Sequence, residues 1–147
     1  MQESIITANK RINEWAKQTI ELHQEYEFAC NMASRYCGYF NADGNDADRK
    51  AAIRYLGGAW KKLSKLIVLK QNIACEASML AKIYQIKAES PEATTLDEAY
   101  SLKADSEYFE TMKQRVTRER DEYVAAKRRT FNSIKTLRLK KAAATNA

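Results

Sequence analysis

The sequence predicts an all-α protein of three long helices in an antiparallel, coiled-coil-like bundle, and three observations predict it. Breakers are scarce: the 147 residues include four glycines and one proline. Apolar residues recur at heptad spacing over long stretches. Only two places combine the turn and cap chemistry that ends one helix and starts another. At this length the chain fits one helical domain over residues 1–141, with 142–147 as a disordered tail.

The first helix is expected over residues 4–40. Two interleaved series, Ile5, Ile12, Thr19, Tyr26, Ala33, Phe40 and Ala8, Trp15, Leu22, Ala29, Tyr36, hold ten apolar or aromatic residues in eleven positions, with Thr19 the exception. That is a five-heptad seam, to be covered by another helix of this chain or by a second chain.

The joint at 41–48 reads Asn-Ala-Asp-Gly-Asn-Asp-Ala-Asp. Gly44 suits a positive φ, and Asp46 or Asp48 is expected to cap the next helix. A calcium loop is excluded here. With Gly44 sixth, Tyr39 would occupy the first ligand position and Lys50 the twelfth, where an EF-hand needs Asp and Glu.

The second helix is expected over 48–88. Its seam is Ala52, Leu56, Ala59, Leu63, Leu66, Ile73, Ala77, Leu80 and Tyr84, interrupted by Lys70. A neighbouring row, Ile53, Trp60, Ile67, Ala74 and Ala81, widens the apolar face, so this helix should touch both others. The seam keeps phase through Gly57-Gly58, which reads as a close-packing point or kink within a continuous helix. Pro91 then ends the run, and Thr95-Leu-Asp-Glu98 forms a capping box.

The third helix is expected over 96–140, on Leu102, Phe109, Val116, Tyr123 and Leu137 with help from Met112, Phe131 and Ile134. Asp105, Glu119 and Thr130 break this seam. The polarity of its second half predicts that it extends beyond the packed body.

Charge carries the functional expectation. Residues 127–141 hold seven bases, Lys127, Arg128, Arg129, Lys135, Arg138, Lys140 and Lys141, and no acid. The rest of the chain keeps 18 of the 25 basic groups against all 19 acidic ones, so the net charge of +6 is concentrated at this helix end. Opposition to the helix macrodipole accounts for two or three such residues, not seven. An anionic partner accounts for the cluster, because neutralised phosphates release counterions. The expectation is a non-enzymatic accessory protein that binds nucleic-acid backbone without reading sequence. The alternative is a protein-only adaptor or inhibitor that docks on an acidic partner surface. Lys61, Lys62 and Lys65 would add to the interface if folding brought them beside the cluster. Protein contacts or self-association would use the heptad faces.

Other chemistries are weakly represented. His23 is the sole histidine, which leaves no pair of Glu-x-x-His motifs for a di-iron bundle. No glycine-rich lysine loop is present for a nucleotide, and Glu107 and Glu110 read as a solvated pair. Cys30 and Cys37 sit two helical turns apart, roughly 10 Å, too far for a disulfide. With Cys75 they read as small buried apolar residues, and no metal or other cofactor is expected. Among the aromatics near the end of the first helix, Tyr26, Tyr36 and Phe40 fall on the seam. Phe28 and Tyr39 are freer to stack on a base. Without a signal peptide or an apolar span of roughly 20 residues, a cytoplasmic protein with no membrane partner is expected.

Overall fold

A computed structural model describes residues 2–90 and 95–146, with side chains described through residue 140. It is all-α, with no strand among the described residues. The helices are α1 (Gln2–Asp43), α2 (Asp46–Glu89) and α3 (Leu96–Asn146). The expected Pro91 break lies outside the described residues. So do the side chains of Lys141 and of the expected tail, 142–147.

The α1–α2 joint is set by local hydrogen bonds. Gly44 adopts φ 69°, a left-handed conformation that suits a residue without Cβ. Its N–H donates to the Phe40 carbonyl at 2.7 Å. The cap of α2 is Asn45 rather than Asp46 or Asp48: Asn45 Oδ1 accepts from the Ala47 N–H at 2.9 Å. Asp46 is one residue too late to cap, and its carboxylate instead accepts from Arg49 at 2.7 Å. At the start of α3, Thr95 Oγ1 accepts from the Glu98 N–H at 3.1 Å, the capping bond expected there.

The chain forms two compact units, each taking a piece of all three helices. The first is Met1–Thr19 with Val68–Asp121. Its core joins Ile5, Ala8 and Ile12 of α1 to Ile73, Ala77, Leu80 and Ala81 of α2 and to Phe109 and Val116 of α3. Within it, Arg11 meets Glu76, Lys70 meets Glu119, and the Ser106 hydroxyl donates to the Ala81 carbonyl. Later residues of α2 thus face earlier ones of α1 and α3, so α2 runs antiparallel to both.

The second unit is Ile20–Ile67 with Glu122–Ala147. Leu63, Leu66 and Ala126 are buried there, with Leu22, Tyr26 and Tyr123 packed against them. His23 joins α1 to α3 through Tyr123 at 2.8 Å and bonds Glu27 through its other nitrogen at 3.0 Å. A carboxylate only accepts, so Nε2 carries a proton. In the neutral ring Nδ1 then accepts from the Tyr123 hydroxyl.

In both units α2 touches both partners, as its wide apolar face required. The α1 seam is covered inside the chain, since Ile5, Ala8, Ile12, Ala29 and Ala33 are buried. Tyr26, Tyr36 and Phe40 are only half-buried. The seam exception Thr19 is buried because its hydroxyl donates to the Ala16 carbonyl at 2.7 Å, and Thr130 likewise satisfies itself on Ala126 at 2.8 Å.

Three expectations are corrected. Gly57 and Gly58 lie inside a continuous α2, but a Cβ at either would meet nothing within 4 Å, so the pair is not a close-packing point. The second half of α3 packs rather than projecting: Ala126, Thr130, Ile134 and Leu137 are buried, one stripe being enough to seat a helix that is otherwise polar. Cys75 is exposed, because it faces away from the α2 seam.

Candidate nucleic-acid interface

The site is built on the last turns of α3 in the second unit. Ala126, Thr130, Ile134 and Leu137 form the buried stripe, and the helical period carries most of the intervening bases outward. Arg128, Arg129, Lys135, Arg138 and Lys140 are exposed, and Lys127 is half-buried. No ion pair among the described residues involves any of these six. Of the nearest bases upstream, Arg115 and Arg120 lie against Glu119 and Asp121, whereas Arg118 is exposed and makes no described ion pair.

The six do not share one face. Arg128, Lys135 and Arg138 fall on a single stripe with Val124 and Phe131, the positions recurring at i, i+4, i+7, i+11 and i+14. Lys127 turns toward α2, where its ammonium lies 4.5 Å from the Trp60 ring centroid. Arg129 and Lys140 are near enough to α1 for their charge to act on it. The Arg129 charge is felt at the Tyr26 phenol and the Lys140 charge at the Cys37 thiol. Both groups are nonetheless pushed upward in pKa by burial, Tyr26 to about 12.

The lysines of α2 split as well. Lys62 Nζ lies 2.7 Å from Glu25 Oε2 of α1, and this bond holds the Glu25 carboxyl below its ordinary pKa. Lys61 and Lys65 are exposed and make no described ion pair. The folded chain therefore brings Arg128, Lys135 and Arg138 together, and it commits Lys62 to a neighbouring acid.

Phe131 is the residue that sequence reasoning misplaced. Its spacing places it with the α3 seam, yet it is 47% exposed. The row from Leu102 reaches Thr130, and one further residue turns about 100° away from it. Its ring carries the Lys135 ammonium at 5.2 Å from the centroid. The signal was present in the spacing, because Arg128 and Lys135 stand at i−3 and i+4 from it. Of the freer aromatics, Phe28 packs edge-on to Tyr55 and Tyr39 edge-on to Tyr36, and both remain exposed.

Among the described residues no three His, Cys, Asp or Glu side chains converge as a metal site would need. No described helix is long and apolar enough to cross a membrane. The chain matches no protein-family model, no curated protein and no solved structure.

Proposed function

We propose that this is a non-enzymatic helical accessory protein of the cytoplasm that holds nucleic-acid backbone on the basic end of α3, within a larger protein or nucleoprotein complex. The observation that carries the reading is the set of basic side chains from Lys127 to Lys140 that make no ion pair with any described carboxylate. Packing does not require them there, since the buried stripe of this helix is Ala126, Thr130, Ile134 and Leu137. Unpaired guanidinium and ammonium groups on an exposed face favour phosphate, whose counterions are released on contact. Contacts made through phosphate position a nucleic acid without reading its bases, so the binding proposed is independent of sequence. Protein partners, or a second copy, would use surfaces other than the α1 seam, which the chain's own helices cover.

The test is a titration with DNA and RNA at several salt concentrations. Affinity should fall steeply with salt. Changing Arg128, Arg129, Lys135 and Arg138 to glutamine should reduce the log–log slope by about 1 per residue. A salt-independent response, or full affinity in the fourfold variant, overturns the reading and leaves the docking of an acidic protein surface as its replacement.

A further inference from the structure

We infer that the basic stripe of α3 is a single-strand site, with Phe131 as a platform for one unpaired base and Arg128, Lys135 and Arg138 on the flanking phosphates. This rests on the nucleic-acid reading above and narrows its ligand class. The juxtaposition is specific: an aromatic ring 47% exposed stands in the middle of a stripe whose other accessible members include three cations. Arg128 lies at i−3, Lys135 at i+4 and Arg138 at i+7, so the bases span about 15 Å of helix in all, about 4.5 Å before the ring and about 10.5 Å after it. Lys135 already lies over the ring at 5.2 Å from the centroid. The ammonium covers one face of the ring, so a base takes the other face or displaces the ammonium toward a flanking phosphate.

The chemistry separates single strands from duplexes. An unpaired base offers a free π-face to an aromatic ring, and a cationic groove follows its backbone. In a duplex those faces are stacked on neighbouring pairs, and the ring would have to pry them apart. A surface built only for duplex phosphate gains nothing from an exposed phenylalanine, which pays a hydration penalty in the free protein. An acidic protein surface would also accept the cations, and an anionic bilayer would accept cations and ring together. The stripe fits a bilayer less well, because Arg128, Lys135 and Arg138 share Phe131's face rather than lying on an opposite one.

Fluorescence anisotropy of the full chain with labelled oligo-dT, oligo-rU and a mixed-sequence duplex of equal length tests this. Sedimentation with phosphatidylserine vesicles forms a parallel arm. The expected result is that Phe131→Ala weakens both single strands roughly tenfold or more, with duplex binding and the salt slope unchanged. Phe131→Trp should keep the affinity, and the new indole should be quenched by oligo-dT but not by duplex. Circular dichroism melting controls for folding, and Phe131 is exposed enough for both variants to fold. Binding of single strands that is indifferent to Phe131→Ala, or equal losses on duplex and single strand, overturns this inference and leaves the backbone-binding reading intact. No salt-dependent binding to any oligonucleotide overturns both. A loss on vesicles without one on oligonucleotides overturns the inference in favour of lipid.

Discussion

Lys70 Nζ lies 2.7 Å from Glu119 Oε2, so the residue that interrupts the apolar seam of α2 meets one of the three that interrupt the seam of α3. The two sides are unequal. The Lys70 side chain is 11% exposed, whereas Glu119 is 37% exposed and also has Arg115 at 3.5 Å.

That asymmetry predicts an unequal double-mutant cycle. Glu119→Leu strands a nearly buried ammonium and should cost about 2 kcal/mol. Lys70→Met leaves a carboxylate that keeps water and Arg115, and should cost about 1 kcal/mol or less. The double variant Lys70→Met/Glu119→Leu should return close to the parent, because burying matched apolar groups removes both desolvation penalties. Chemical denaturation measures all four corners. Equal and additive losses would show that the pair is not coupled.

The α1–α2 joint predicts which cap matters. Asn45→Ala removes the acceptor for the Ala47 N–H and should cost about 1 kcal/mol. Gly44→Ala should cost a similar amount, about 1 kcal/mol, because φ 69° crowds a Cβ. Asp48→Ala loses only a favourable charge near the helix start, about 0.5 kcal/mol. Urea melts that rank Asp48→Ala above Asn45→Ala would contradict this assignment of the cap.

Tyr26 predicts a late step in alkali. Burial, then the Cys30 side chain, raises its phenol from the ordinary 10 to about 12. A raised folded value means that the neutral phenol stabilises the fold fully below pH 10, and that this contribution is lost as pH rises through about 12. Tyrosinate absorbance should therefore show one phenol titrating near pH 12, absent in Tyr26→Phe, with unfolding by alkali shifted upward in that variant. A Tyr26→Phe profile identical to the parent's would contradict it.

Three helices, their approximate spans and the contact of α2 with both others were legible because heptad spacing and scarce breakers are local signals. The capping box at Thr95 was legible for the same reason, being a four-residue pattern. The cap at Asn45 was not, because Asn45, Asp46 and Asp48 all had the right chemistry and only backbone geometry chose among them. The charge cluster was legible as a count. How its members divide was not: Lys127 lies on Trp60, the charges of Arg129 and Lys140 act on α1, and Lys62 pairs with Glu25.

By itself the sequence determined the all-α class, the helices that carry the seams, and the end of the chain where positive charge collects. All of these follow from residue type and spacing along one dimension. Tertiary structure alone decided that Lys70 finds Glu119, that Thr19 and Thr130 are buried, and that Phe131 stays outside beside Arg128 and Lys135. The reason is geometric. Which side of a helix is covered depends on the rotation that its partners impose, and one residue of register is worth about 100°.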